Sequence, residues 1–379
     1  MIILQISPEF EPGTGVGGVA AALEARWSDL GHDVRRFGPE DAGCAFLSTP
    51  APGLRGRARH AARVIWFSTA GTVRARRAIR ALPETAVSIC HNDALAGDVY
   101  VNHGVLTSAM KARGNYVWRM VRNPLHLFTS VRDVYRYRAG VHEVVVNLSD
   151  ADRRTLVGAY GLTPERAIVI PNGVHLDRFV PASPTERDNA RVALGIPPGV
   201  DVAVFVGHEF ERKGLPLLLA AASELADHHV VVVGGTPQQI DSARAGLSAE
   251  VAGRVHWTGR IPDPRPGLAA GDVLVLPSAY EANPLVVLEA LASGLQVVAT
   301  PVGSVPDTLV DDDVARVVEP TVDGVRDGLR ALAATRRGRP RTELQEQARD
   351  RAARTSWDVV AQSYLEVFER LRLRRAQSR

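Results

Sequence analysis

Two carboxylates eight residues apart, Glu281 and Glu289, stand in the stretch 277–303, PSAYEANPLVVLEALASGLQVVATPVG. Ionised carboxylates accept hydrogen bonds in pairs, which suits a polyol. Between them Asn283-Pro284 reads as a helix start, with Pro at the first helical position and Gly294 as the stop. The first amides of such a helix have no intrahelical partner and face anions. Pro284 has no N–H, so Leu285 and Val286 must supply those amides. Upstream, the segment GHEFERKG brings Arg212 and Lys213. Cations and free amides balance a diphosphate as it leaves, and carboxylates hold ribose or sugar hydroxyls. The set suits an activated sugar.

The elements that must position these residues follow mostly from short apolar runs. Residues 2–7, 32–37, 86–90, 98–101, 141–147 and 167–170 read as strands, and so do 202–206, 230–233, 255–257, 273–276, 296–300 and 315–318. Helical patterns fall between them, among them 19–30, 55–80 and 215–226, and a long amphipathic helix covers 356–373. Strands alternating with helices in both halves predict an α/β protein of two doubly wound Rossmann-like domains facing across a cleft. The expected division is 1–170, then 171–355, with 356–379 crossing back to the first domain; the turn-rich 171–184 is the expected hinge. Ligands of such sheets bind at the loops after strand C-terminal ends. That places Glu281, and it singles out His91 and His103, each of which closes a strand; His103 is followed by Gly104.

Gly13, Gly15 and Gly18 satisfy G-x-G-x-x-G, but residues 8–12 separate them from the strand and no acid closes the second strand, so the dinucleotide reading is set aside. The glycines read instead as a loop whose backbone approaches a ligand, with Gly17-Gly18 opening a helix. Asp311-Asp312-Asp313 reads as a solvated acidic turn, and no metal site is expected. No Walker loop, no G-x-S-x-G and no Cys-His signature is present, so the chemistry must lean on electrostatics.

The 379 residues suggest two or three domains, and two cysteines, Cys44 and Cys90, point to a reducing compartment. No basic leader and no run of eighteen apolar residues is seen, so a cytoplasmic protein is expected. Thirteen Lys or Arg against three Asp or Glu lie between residues 42 and 132; that excess of +10 within a net +3 leaves −7 elsewhere. Residues 55–80 interleave arginines with apolar side chains, an amphipathic pattern that fits peripheral contact with an anionic membrane face or an anionic acceptor. No motif or aromatic platform accompanies the charge, so nucleic acid is not an expected partner.

The segment EANPLVVLEALASGLQVVAT with its two glutamates resembles the signature of the retaining, nucleotide-sugar-dependent glycosyltransferases of family 4, which have the GT-B fold. PNGVHLDRF, residues 171–179, resembles the family's interdomain segment, VGHEFERKG its phosphate loop, and Gly17-Gly18 its N-terminal glycine loop. The resemblance implies that Glu289 holds ribose hydroxyls, Glu281 the donor sugar, and Arg212 and Lys213 the diphosphate. It implies backbone contact with the base near Arg260-Ile261, phosphate and acceptor contact at Gly17-Gly18, and His103 against the transferred sugar. His208 stands where many members have Arg, which leaves Arg212 as the substitute, and Gln296 stands where Pro is usual. A nucleotide-sugar is the implied co-substrate, with no metal, and the acceptor is unknown, with lipid-linked and anionic ones fitting the basic half. The rivals are a GT-B-fold sugar-nucleotide epimerase and a noncatalytic sugar-nucleotide-binding subunit.

Overall fold

The computed structural model describes residues 1–11, 15–48 and 53–377, except for the side chain of Arg119. Pro12 and Gly13 of the glycine-rich loop lie outside the described residues. The chain forms two compact units, one of Met1–Asn172 with Trp357–Arg379, the other of Gly173–Ser356.

The first unit opens with β1 (Ile2–Ile6), α1 (Gly15–Asp29) and β2 (Asp33–Phe37). The helices α2 (Gly53–Trp66) and α3 (Thr72–Arg80) follow, joined by a five-residue π-helical stretch, Phe67–Gly71. After β3 (Val87–Cys90) and β4 (Val99–Asn102) come α4 (Leu106–Ala112), α5 (Tyr116–Arg122) and α6 (Pro124–Arg138), then β5 (Val144–Asn147), α7 (Asp150–Tyr160) and β6 (Ala167–Val169). The six strands form one parallel sheet in the order β2-β1-β3-β4-β5-β6. Its central strands, VSIC, VYVN and VVVN, are buried throughout, as a sheet covered on both faces requires. The last helix, Trp357–Gln377, belongs to this unit. Its stripe Trp357, Val360, Tyr364, Phe368, Leu371 has helical spacing and is buried with Leu23 and Trp27 of α1. Trp27 packs edge-on to Tyr364, with ring centroids 5.9 Å apart, and its indole N–H donates to the Ala361 carbonyl at 3.1 Å.

The second unit contains α8 (Pro184–Ala193), β7 (Asp201–Val206), α9 (Phe210–Lys213), α10 (Leu215–Ser223), β8 (His228–Val233), α11 (Pro237–Ala245), α12 (Ala249–Ala252) and β9 (Val255–Gly259). It continues with α13 (Arg265–Ala270), β10 (Val273–Leu276), α14 (Leu285–Ala292), β11 (Gln296–Ala299), α15 (Val305–Thr308), β12 (Ala315–Val317), α16 (Val322–Gly338) and α17 (Arg341–Ala353); the helix of Trp357–Gln377 is α18. Its parallel sheet runs β9-β8-β7-β10-β11-β12. This is the 3-2-1-4-5-6 order of a dinucleotide fold, whose switch point lies between β7 and β10. In the first sheet the direction of winding reverses between β1 and β3, the corresponding place.

Two expected helix starts are corrected. Pro284 is not the first helical residue: it is extended (φ −74°, ψ 99°) and α14 begins at Leu285. Helix α1 begins at Gly15 rather than residue 19, so Gly17 and Gly18 lie inside its first turn. Arginine does not make residues 42–132 a uniformly basic face either. Arg63 pairs with Glu9 at 2.7 Å, and Arg132 is buried against Asp93 at 2.7 Å, whereas Arg55, Arg57 and Arg80 are exposed. Among the described residues no helix is long and apolar enough to cross a membrane. The acidic triplet caps its own turn: Asp312 Oδ1 accepts from the amides of Val314 (2.9 Å) and Ala315 (3.1 Å), and Asp311 from that of Val317 (2.7 Å).

Candidate active site

At the switch point of the second unit, β7 runs into Gly207-His208-Glu209 and the single turn of α9. Gly214 then takes the left-handed conformation (φ +77°), and a Cβ on it would overlap the carbonyl of Pro277. That close approach seats the end of α9 on the loop after β10, and the Ala279 amide donates to the Arg212 carbonyl at 2.9 Å. The cations then converge on one carboxylate oxygen. Lys213 Nζ lies 2.9 Å and Arg212 Nη1 3.3 Å from Glu281 Oε1, which also accepts from Ser278 Oγ at 3.2 Å. Arg212 further donates to Glu209 at 2.7 Å and to the Tyr280 carbonyl. The Glu281 loop is pinned from behind: Gly303 (φ +53°) leaves no room for a Cβ beside the carbonyls of Glu281 and Ala282, and the Ser304 amide donates to Ala282 at 3.0 Å.

These groups line a cavity of about 460 Å³ together with His208, Ile261, Asn283, Leu285, Val286 and Glu289. Leu285 and Val286 are the first two helical residues of α14, whose amides have no partner within a helix. Asn283 donates to Ser304 Oγ, while its Oδ1 is buried without a partner among the described residues. Burial pushes the Glu289 carboxyl up to about 7, against the charges of Arg178 and Lys213 and with that of Asp263. Burial and the nearby Arg260 and Lys213 charges hold the His208 imidazole below its ordinary value. Arg260 itself is exposed and does not line the cavity.

The remaining candidates form a separate group in the first unit. His91 follows β3, with its amide donating to the Ile6 carbonyl of β1 at 2.9 Å. Its Nε2 donates to Gln5 Oε1 at 2.7 Å, and Gln5 Nε2 donates to the Ala20 carbonyl of α1 at 3.1 Å. Gln5 thus ties the strand-end histidine to the helix that carries Gly17 and Gly18, of which Gly17 is buried. His103 follows β4 with its ring centroid 5.9 Å from that of His91. Nδ1 of His91 and Nε2 of His103 are buried without partners among the described residues. Burial takes the His103 ring down to about 4, and burial with the His103 charge holds His91 well below its ordinary value. Both rings are neutral at physiological pH, so each offers one donor and one acceptor.

The structure brings Arg212, Lys213 and Glu281 into hydrogen-bond contact and sets Glu289, Ile261, Leu285 and Val286 around the same cavity. Ser278 and Gln5 were not among the candidates. A glutamine inside the apolar run IILQIS was the signal for Gln5, and a serine three residues before Glu281 was the signal for Ser278.

Residues 200–335 match the family described as glycosyl transferases group 1. A D-inositol 3-phosphate glycosyltransferase of Geodermatophilus obscurus is 36% identical over 246 residues, which cover 61% of this chain and 53% of that protein. An alpha-maltose-1-phosphate synthase of Mycobacterium tuberculosis is 32% identical over 189 residues, 47% of this chain and 49% of that protein. The chain spans about half the length of the curated relatives it matches. Among solved structures, WaaG, a glycosyltransferase involved in lipopolysaccharide biosynthesis, is similar with a TM-score of 0.73 at 19% identity, covering 97% of this chain and 99% of that one. Sucrose-phosphate synthase from Thermosynechococcus elongatus gives 0.71 at 18% identity, with 98% of each chain covered. These structural likenesses show the two-domain α/β fold. Residues 200–335 are thus similar to the group 1 glycosyltransferases, and the two sheets have the GT-B fold.

Proposed function

We propose that the chain transfers a sugar from a nucleotide-sugar to an acceptor hydroxyl, with retention of anomeric configuration. The observation that carries this reading is the convergence of Lys213 and Arg212 on Glu281 at the β7/β10 switch point, beside the free amides of α14. Glu281 is the counter-ion of both cations. A diphosphate takes that place, and the released carboxylate turns to the hydroxyls of the transferred sugar. Lys213, Arg212 and the Leu285 and Val286 amides then stabilise the charge that develops on the leaving phosphate. Glu289, one turn into α14, accepts from the ribose hydroxyls, and backbone near Ile261 meets the base.

On the acceptor side, neutral His103 exchanges hydrogen bonds with the transferred sugar, and Gly17 and Gly18 present backbone amides. The acceptor hydroxyl attacks on the leaving-group face and its proton passes to the departing phosphate oxygen, so no dedicated base is required. Because the protein's own cations meet the diphosphate, transfer is expected to survive chelation of divalent metal. The exposed Arg55 and Arg57 on α2 favour an anionic or lipid-linked acceptor and peripheral contact with the cytoplasmic face of a membrane. A relative named for an inositol phosphate is in keeping with an anionic acceptor.

The test is a thermal-shift screen of nucleotide-sugars followed by NMR of the product formed with each binder. A saturable shift and a product of retained configuration, in buffer with EDTA, are the expected result. An inverted product, a covalent glycosyl adduct on Glu281, or an epimerised nucleotide-sugar released from donor alone would overturn the reading.

A further inference from the structure

A second cavity of about 490 Å³ lies in the second unit at the opposite end of the same strands. Its walls include the start of β7 at Asp201, the residue before β10, Asp272, and the first residue of β11, Gln296, with α8, the end of α16 and the start of α17 around them. Five arginines face three aspartates there, a formal surplus of two positive charges.

Two of the aspartates are already committed, and the third, Asp227, is exposed. Asp272, 7% exposed, accepts from Arg191 at 2.8 Å, from Arg341 at 2.8 Å, from Arg187 and from the Val202 amide at 2.9 Å, which fills its lone-pair sites. Asp201 accepts twice from Arg336, whose other arm donates to Gln296. Donors remain over. The Nε of Arg187 is buried with no partner among the described residues, and Arg337, exposed at the rim, makes no hydrogen bond or ion pair with them. Burial, and after it the like charge of Arg187, hold the Arg341 guanidinium below its ordinary value, against the charge of Asp272. Repulsion of this kind is relieved by an anion, and guanidinium forks match the oxygens of a phosphate. The volume is that of a small-molecule site and exceeds what a bare phosphate fills.

We propose that this cavity binds a phosphorylated small molecule, with the phosphate on Arg187, Arg337 and Arg341 and the remainder of the ligand in the space between α8 and α16. The site is distinct from the switch-point cavity, so it stands whether or not the transferase reading holds.

The test uses the full chain carrying Lys213→Ala, which removes a principal cation of the other cavity. Glucose 6-phosphate, inorganic phosphate and sodium chloride are titrated at matched ionic strength, followed by thermal shift and calorimetry. Expected is a saturable rise in Tm with glucose 6-phosphate, at an affinity at least about tenfold above that of inorganic phosphate. Adding Arg337→Glu should weaken that binding at least about tenfold, while the ligand-free Tm stays within about 2 °C because the residue is an exposed one. Four results would overturn the proposal: an equal shift with chloride, inorganic phosphate binding as tightly as the sugar phosphate, undiminished binding in Arg337→Glu, or loss of all binding on Lys213→Ala alone.

Discussion

The two sheets place their candidate residues at equivalent switch points but equip them in opposite ways. In the second unit the groups are ionic, two cations sharing one carboxylate oxygen. In the first they are neutral, two imidazoles stripped of charge by burial, of which His91 is steadied by Gln5. An unpaired cation in a half-buried pocket is costly, and in the second site Glu281 supplies the counter-ion, which the proposed function has a stronger anion displace. The first has no charge to balance and suits hydroxyl groups, which need one donor and one acceptor at a time. On the proposed reading, the difference separates a diphosphate-holding end from a sugar-holding end.

The largest effect that sharpens this contrast is expected at Lys213, one of only two lysines in the chain. Lys213→Ala should lower kcat/KM by about a hundredfold or more, measured as nucleoside diphosphate release. Glu281→Ala should slow transfer at least about tenfold and yet tighten the binding of nucleoside diphosphate alone, read by calorimetry, because the internal competitor is gone. Weaker diphosphate binding in that variant would break the account of Glu281 as a stored counter-ion. Gly303→Ala comes next. Its left-handed backbone and the missing space beside Glu281 and Ala282 predict a loss of about 1–3 kcal/mol, seen in the urea midpoint, and a raised donor KM.

Legibility in the sequence also differs between regions. The central strands sit on the plainest apolar runs, because strands covered on both faces are apolar along their length, whereas the edge strand β2, DVRRF, is mostly exposed. Helix starts shifted by one residue at Leu285 and four at Gly15, since a turn before a helix leaves little trace in composition. Between the runs at 98–101 and 141–147 the sequence offered no clear element, for a physical reason. Arg132 and Arg136 are buried there, with Arg136 3.8 Å over the Tyr100 ring and donating to the carbonyls of Asn92 and Asp93, while Val117, Trp118 and Val131 are exposed. Polarity does not track burial in that segment, so amphipathic periodicity points the wrong way. At the switch point, the spacing of Arg212 and Lys213 from Glu281 carried no sign of contact, which arises only from β7 lying beside β10.

The smallest predicted effects are in pH dependence, where the two sites should move in opposite directions. Glu289 has its folded value raised to about 7, so it binds a proton more readily in the folded chain. Its contribution to stability is therefore present below its ordinary value and is lost as pH rises toward 7. Donor binding runs the other way, because the ionised form is the better acceptor for hydroxyls: donor KM should rise by up to about tenfold as pH falls from 8 to 6, and Glu289→Gln should flatten that slope. For His103 the folded value is lowered to about 4, so the neutral ring is favoured by folding. Its contribution is present above its ordinary value and is lost as pH falls toward 4. Over pH 5.5–8 the ring does not titrate, and the turnover number at saturating donor should show no inflection that His103→Gln removes. Such an inflection near 6.5 would mean that His103 carries a proton during transfer, and the contrast between an ionic and a neutral site would fail at the residue that defines it.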